Sequence, residues 1–169
     1  MGETHEMMIR KAKRGVRMKE LIYYVKRGEA YHPIYEYKIP ENMLADEAYA
    51  RQLCTYFIKD GIQYELYANE LHDEEEVIVL LEQGVPVSYP DEENYRDKGL
   101  FVEFRKPMNE LLFTRIARVE VTSHYEVIRY LLKDLLKIPG TGLMERTSSE
   151  IDEDRGCYVI YVKEVKEED

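Results

Sequence analysis

Alternating apolar and polar residues predict β-strands in the middle of the chain. Residues 34–39 place alternate side chains on two faces, and Pro40 ends that run. Asp60-Gly61 lies between two apolar-rich runs and predicts a hairpin with a two-residue loop, because both loop residues can adopt a positive φ. The aliphatic run Val77–Leu81 follows and is typical of a strand buried on both faces. The hairpin and this run together predict a three-stranded meander.

The second half of the chain contains further strand patterns. Residues 84–99 carry two prolines and many charges, which predicts a long surface loop. An acidic segment at 152–156 predicts a tight turn between the last two strands. We expect strands at residues 100–105, about 111–122, 142–151 and 157–165.

The N-terminal residues 1–28 predict a basic helical region. Met8, Ala12, Gly15 and Ile22 fall on one side of a helix that starts near Thr4, and the basic side chains fall on the other. The run 21–25 is equally compatible with a strand, because a short apolar run does not distinguish the two structures. The helical prediction for this run therefore stays open.

A second helix is predicted over residues 123–138. Ser123 and Glu126 have the spacing of a capping box, in which each side chain binds the backbone amide of the other residue. An apolar stripe follows at helical spacing, and Pro139-Gly140 ends it. The stripe consists of Tyr125, Ile128, Leu131, Leu132 and Leu135.

These elements predict a single α+β domain over residues 1–169. It would contain a mainly antiparallel sheet of about six or seven strands, an N-terminal helix, the helix 123–138 packed on one face, and a polar tail at 166–169. No sequence repeat is visible with a period of about 20 to 50 residues.

Composition narrows the class of protein. The 169 residues carry a net charge of −10, and 44% of them are apolar, as expected for an acidic globular protein. Residues 1–40 carry +4, whereas residues 41–99 carry −11, which favours attraction within one fold or between two subunits. Cys54 and Cys157 stand apart from other metal ligands, no export signal is visible, and the longest aliphatic run has five residues. These features predict a cytoplasmic protein with no membrane span.

The motifs that could carry chemistry are incomplete. Glu150, Asp152 and Asp154 alternate like the first ligands of a calcium loop, but Arg155 and Tyr161 occupy the positions that require glycine and a bidentate glutamate. A tight acidic hairpin is the simpler interpretation. The sequence therefore predicts no metal and no cofactor.

The remaining candidate groups give no catalytic assignment. The glycines of residues 140–142 follow a helix pattern, whereas phosphate loops precede one. His72 begins an acidic run, which is usually a solvated edge, and His32 and His124 are expected in a turn and near a helix start. Ser123 already has the capping role.

A stripe of basic residues, called the basic stripe, is the one sequence feature that indicates a kind of binding partner. Arg10, Lys13, Arg14 and Arg17 lie on one helical face and would bind phosphates or an acidic protein surface. A sequence pI near 5.0 counts against nucleic acid. A plain solvated face is the third interpretation.

Three functions follow, in decreasing order of support. The first is a non-catalytic cytoplasmic binding or regulatory module that acts through protein–protein contacts, with self-association as a homodimer included. The second is a small enzyme or ligand-binding domain whose site is assembled in space from tyrosines, carboxylates and His32, His72 or His124. The third is nucleic-acid binding through the basic stripe.

Overall fold

A computed structural model describes residues 17–166 of the chain. These residues form ten strands and two short helices, which are numbered here in chain order. The elements are β1 (Glu20–Arg27), β2 (Ala30–Lys38), α1 (Ala45–Gln52), β3 (Tyr56–Lys59), β4 (Ile62–His72), β5 (Glu75–Gly84), β6 (Leu100–Pro107), β7 (Phe113–Val121), α2 (His124–Leu131), β8 (Leu135–Ile138), β9 (Gly142–Asp152) and β10 (Cys157–Glu164).

All ten strands belong to one mixed sheet. Its order is β2-β1-β5-β4-β3-β9-β10-β6-β7, and β8 also pairs with β9. Three of the pairings, β1 with β5, β6 with β10 and β3 with β9, are parallel. The prediction of a mainly antiparallel α+β sheet with six or seven strands is therefore wrong. Residues assigned to helices by their apolar spacing supply additional strands, and each of the two helices has eight residues.

The local turn chemistry is confirmed. Lys59 pairs with Ile62 across Asp60-Gly61, where both loop residues have a positive φ. β3, β4 and β5 form the expected antiparallel meander. The strands predicted after residue 100 and the acidic turn before β10 are also present.

The N-terminal helix prediction is wrong over the residues that the structure describes. Residues 20–27 form β1, which pairs with β2 on one side and β5 on the other. Leu21, Tyr23 and Val25 enter the core, so the open question about residues 21–25 is answered as a strand. The stripe residues Arg10, Lys13 and Arg14 lie outside the described range.

The second helix is shorter than predicted. α2 ends at Leu131, and residues 135–138 form β8, in which Leu136 and Ile138 are buried while Leu135 and Lys137 are exposed. This period of two arises because β9 offers backbone partners to the segment. The spacing of the leucines satisfied both periodicities, and long-range pairing decided between them.

The predicted capping box is not formed. Ser123 is the N-cap residue of α2, but its side chain makes no capping hydrogen bond. The carboxylate of Glu126 accepts a hydrogen bond from the amide of Thr122 at 2.9 Å instead. α1 was not predicted at all, because its buried apolar side chains are only Ala48 and Ala50.

The chain contains a structural duplication. Residues 20–84, the N-terminal repeat, and residues 100–164, the C-terminal repeat, each follow the order strand, strand, helix, strand, strand, strand. In both repeats the first strand lies between the second and the fifth and runs parallel to the fifth. The starts of equivalent elements lie 79–83 residues apart, which is longer than the period of about 20 to 50 residues at which no sequence repeat is visible.

The sheet has two unlike faces. On the helix face, both helices pack with strand residues of both repeats into the main core. On the opposite face, called the cleft face, a smaller core forms at the C-terminal repeat, where Tyr95 packs on Cys157 and Val159. Tyr95 belongs to the connection 85–99, which crosses this face. The loop predicted to lie at the surface thus contributes a buried tyrosine.

The two repeats share one short strand pairing, called the seam. Tyr56, Phe57 and Ile58 of β3 lie in parallel register with residues 150–152 of β9. Beside the seam, Glu153 accepts hydrogen bonds from Tyr37 at 2.6 Å and from Arg51 at 2.8 Å. These contacts join the C-terminal repeat to β2 and α1 of the N-terminal repeat.

Candidate functional site

A cleft of about 340 Å³ lies on the cleft face, at the seam between the repeats. The N-terminal repeat contributes β3 and β4, the C-terminal repeat contributes β7, β9 and β10, and the connection 85–99 forms one wall. The aromatic lining residues are Tyr56, Tyr89, Phe113 and Tyr161, the acidic ones are Glu92, Glu150, Asp152 and Asp154, and the basic one is Arg155.

Glu150 is the most unusual group in the cleft. It lies in the sheet on β9, only 4% of its surface is exposed, and its carboxylate oxygens have the Tyr161 hydroxyl at 3.4 and 3.3 Å. These are long, weak hydrogen bonds. Burial, reinforced by the negative charge of Asp152, raises the pKa of Glu150 to about 8. Glu150 therefore holds a proton at neutral pH.

Glu103 is a second buried carboxylate of the same sheet, but its pKa is lowered, whereas the pKa of Glu150 is raised. Val159 of β10 pairs with Glu103 on one side and with Glu150 on the other, so the three residues form one row across the sheet. Glu103 is fully buried, and it accepts hydrogen bonds from Tyr95 at 2.7 Å and from Arg155 at 3.0 and 3.1 Å. Burial alone would raise the pKa of Glu103, but the bonds from Arg155 and Tyr95 outweigh it and lower the pKa.

Two other carboxylates of the cleft, Asp152 and Asp154, already have close partners. Asp152 accepts hydrogen bonds from the amide of Arg155 at 3.0 Å and from its Nε at 3.1 Å. Asp154 accepts hydrogen bonds from the amides of Asp60 and Gly61 at 2.8 and 2.9 Å, which ties the acidic turn to the hairpin of the N-terminal repeat. The predicted acidic hairpin is therefore a bridge between the repeats.

The positive charge of Arg155 offsets the raised pKa of Glu150 only in part. Its guanidinium spends both terminal nitrogens on Glu103 and its Nε on Asp152. Arg105, also fully buried, binds Glu103 through Nε at 3.0 Å and Asp91 through Nη1 at 2.7 Å. Both arginines thus serve an ion network beside the cleft, and Glu150 stays outside it.

The basic stripe is not part of this site as far as the described residues show. Arg17 is exposed and lies just before β1, beside Lys19 and Glu20 in a surface groove away from the cleft. The three other members of the stripe, Arg10, Lys13 and Arg14, lie outside residues 17–166.

The histidines that were candidates for an assembled site lie apart from one another. His32 is exposed on β2, and His72 is exposed at the end of β4, 3.2 Å from Glu70. His124 begins α2, with its Nε2 3.7 Å from Glu47, and burial lowers its pKa. None of the three lines the cleft.

Other site types were tested on residues 17–166. Within this range no three His, Cys, Asp or Glu side chains are grouped so that they could hold a metal ion. In the same range, no helix has the length and apolar character required to cross a bilayer.

Sequence reasoning named Glu150, Asp152 and Asp154 but dismissed them. It compared them with a calcium loop, whereas Glu150 and Asp152 belong to a strand. The available signal was the alternation of Glu150 and Asp152 with Ile151, which places two carboxylates on one face of a strand. The contribution of Tyr89 and Tyr161 depends on long-range packing and had no local signal.

We compared the chain with protein-family models, with curated proteins and with solved structures, and none of the three comparisons produced a match.

Proposed function

We propose that the protein is a non-catalytic binding module that recognises a cationic group in the cleft. The observation that carries the proposal is Glu150, a buried carboxyl group that lines an open cleft and forms no salt bridge with any residue in the range 17–166. The proposal keeps the module class, the cytoplasmic location and the possible self-association that the sequence predicts. It adds the chemistry by which a ligand or a protein partner is recognised.

The charge of the lining supports a cation. Four carboxyl groups and one guanidinium line the cleft, and that guanidinium is committed to Glu103 and Asp152. A carboxylate is unstable in a buried position unless a cation or several hydrogen-bond donors accompany it. The free protein meets this condition by leaving Glu150 protonated. A bound cation would meet it by ionic contact.

The aromatic walls support the same ligand. Phe113 lies edge-on to Tyr161 with ring centroids 5.1 Å apart, and to Tyr89 at 6.2 Å. Faces of such rings attract cations and cover aliphatic stems. The guanidinium of Arg105 already lies 5.1 Å from the centroid of Tyr89, so this wall accommodates a cation on one side.

The direct test compares butylamine with 1-butanol, which has the same stem and no charge. We expect butylamine to bind with at least tenfold higher affinity than 1-butanol at pH 8, because only the amine supplies a cation to Glu150. Calorimetric titration measures both affinities. The variant Glu150→Gln should lose at least tenfold in affinity for butylamine. Equal binding of the two probes would contradict the proposal.

The duplication supplies a matched control. Glu70 occupies the position on β4 that Glu150 occupies on β9, since Glu70 pairs with Val77 as Glu150 pairs with Val159. The side chain of Glu70 is 36% exposed and lies beside His72. Glu70→Gln should leave butylamine affinity unchanged. A loss in this variant equal to that of Glu150→Gln would mean that general surface charge, and not the cleft, attracts the amine.

An enzyme with a spatially assembled site is the second candidate. It is favoured by one observation, a buried carboxyl group that holds a proton in a cleft at neutral pH, which is the condition of a general acid. A screen of 4-nitrophenyl glycosides and 4-nitrophenyl esters tests it. Turnover that disappears in Glu150→Gln and persists in Glu70→Gln would support the enzyme in place of the binding module.

A further inference from the structure

We infer that the cation selected by the cleft is a primary alkylammonium group, and that on binding it replaces the proton held by Glu150. This inference rests on the proposed function. The chemistry is shared by the side chain of lysine and by free aliphatic amines. It is distinct from the guanidinium of arginine and from quaternary ammonium groups.

The position of Tyr161 disfavours a bidentate guanidinium. Its hydroxyl lies almost equally far from both oxygens of Glu150, at 3.3 and 3.4 Å, and so occupies the fork that a planar guanidinium would use. Glu103 shows the contrasting case, because the two terminal nitrogens of Arg155 bind its two oxygens at 3.0 and 3.1 Å. A compact ammonium needs only one side of a carboxylate.

Hydrogen-bond donors decide between a primary and a quaternary ammonium. A buried carboxylate has to receive hydrogen bonds, and within residues 17–166 the side chain of Glu150 receives only the long contacts from Tyr161. A primary ammonium brings three donors, whereas a quaternary ammonium brings none. Ser148 also lines the cleft and offers a hydroxyl oxygen as a further acceptor.

The rest of the lining fits an aliphatic stem. Ile58 and Val87 line the cleft together with the rings of Tyr56 and Phe113. Lysine-type stems pack on such surfaces while the charged end reaches a polar partner. The cleft therefore has an anionic inner end and apolar walls.

Proton displacement follows from the charges around Glu150. The amine keeps its own proton, since an alkylammonium has a pKa of about 10.4, so Glu150 must ionise to form the ion pair. Below the Glu150 pKa of about 8, ligand and proton compete, and affinity rises with pH. Above that pH the affinity levels off.

Several titratable and charged groups act on Glu150 from the elements packed around it. They are Asp152 on its own strand, Arg155 in the turn, Tyr161 and Cys157 on β10, Tyr89 and Glu92 in the connection, and Cys54 after α1.

The experiment uses three cations with the same stem: butylammonium, butylguanidinium and butyltrimethylammonium. Calorimetry in two buffers with different heats of ionisation gives both affinity and the number of protons released. We expect butylammonium to bind at least tenfold more tightly than the other two at pH 7, to release close to one proton, and to gain about tenfold in affinity between pH 6 and pH 7. Glu70→Gln should behave like the unmodified chain.

Tyr161→Phe sharpens the selectivity test. Removing the hydroxyl opens the fork of Glu150, so the preference for butylammonium over butylguanidinium should fall at least tenfold. An unchanged preference would overturn the geometric argument. Two further titrations distinguish the sources of the ammonium group. Tighter binding of N-acetyl-lysine methylamide would indicate a lysine side chain of a protein, and tighter binding of 1,4-diaminobutane would indicate a free amine.

The outcomes separate the two proposals. If none of the three cations binds, the proposed function fails and this inference fails with it. If butylguanidinium or butyltrimethylammonium binds as tightly as butylammonium, or if no proton is released, cation binding stands and only this inference is overturned.

Discussion

The N-terminal and C-terminal repeats share their strand pairing but differ in how they treat charge. One row of the cleft face contains Ile22, Val77 and Glu70 in the N-terminal repeat. The equivalent row of the C-terminal repeat contains Glu103, Val159 and Glu150. Glu70 is partly exposed, whereas both glutamates of the second row are buried. The same backbone thus supports one ordinary row and one row with two buried acids.

The connection 85–99 accounts for the difference. It brings Tyr95 to Glu103 and Asp91 to Arg105, and it places Tyr89 over the cleft. In the N-terminal repeat, His72 and Glu75 border a groove of about 400 Å³ instead. A buried charge is tolerated where partners are supplied, so the segment 85–99 allows the C-terminal repeat to bury two acids. The comparison separates the shared scaffold from the site built on it.

The strongest way to break the comparison is to remove the charge of Glu103. Glu103→Gln leaves Arg105 and Arg155 without their shared partner in a buried position, and we expect a loss of about 3–5 kcal/mol in the free energy of unfolding. Urea denaturation at pH 7 measures it. Ile22→Val, at the equivalent position of the N-terminal repeat, should cost about 0.5–1.5 kcal/mol. Similar losses in the two variants would mean that the network adds nothing beyond packing.

Glu150→Gln should stabilise the protein, and increasingly so with pH. The pKa of Glu150 is raised in the folded state to about 8, so the folded protein binds one more proton than the unfolded chain between pH 4.5 and pH 8, and stability falls with pH over this window. Glutamine cannot ionise and escapes this loss. We expect little difference at pH 5 and a gain of roughly 2–4 kcal/mol at pH 8. Thermal unfolding across this pH range checks the sign, and a variant less stable at pH 8 would refute it.

Removing one hydroxyl from the network should have a smaller effect. The Tyr95 hydroxyl donates to Glu103 at 2.7 Å and accepts a hydrogen bond from Arg115 at 3.0 Å. Tyr95→Phe should lower the free energy of unfolding by about 1.5–3 kcal/mol, because hydrogen bonds to buried charged groups are the stronger ones. Tyr67→Phe, at an exposed tyrosine of the N-terminal repeat, is the control and should change stability by less than about 0.5 kcal/mol.

The smallest effect is expected at Glu70. Its carboxylate is partly exposed and lies 3.2 Å from His72, which is itself exposed. Surface ion pairs contribute little, so Glu70→Gln should change the free energy of unfolding by less than about 0.5 kcal/mol at pH 5 and at pH 8. A pH-dependent gain like that of Glu150→Gln would mean that the two repeats bury their acids alike, and it would remove the contrast.

The sequence predicts the parts of the fold that depend on local chemistry. Asp60-Gly61 defines its hairpin because a two-residue loop admits few other residues. Leu135–Ile138 was assigned to the wrong element because leucine spacing is ambiguous until β9 offers hydrogen bonds. The duplication escaped detection because its period of 79–83 residues is longer than the period of about 20 to 50 residues that is typical of repeat proteins. The repeats share the order of their elements and their strand pairing, and pairing is a long-range property.

The candidate site was harder to predict from the sequence than the fold, because it also depends on long-range contacts. The acidity of Glu150 depends on its row and on the connection that covers it, and neither is local in sequence. Glu103 and Arg155 each look like ordinary charged residues of strand and turn until they are placed together. Composition gave the correct sign of the surface charge but not its location.

The seam is a short strand pairing that joins the two repeats next to the cleft. Three residue pairs of β3 and β9 join the two halves of the sheet, next to the hydrogen bonds that Glu153 and Asp154 make across the seam, and the cleft takes its walls from both halves. A guest seated there would hold the halves together, so the amides of residues 56–58 should exchange with deuterated solvent more slowly when the cleft is filled. Slower amide exchange along β3 would thus reveal a bound ligand at backbone positions beyond the side chains that contact it.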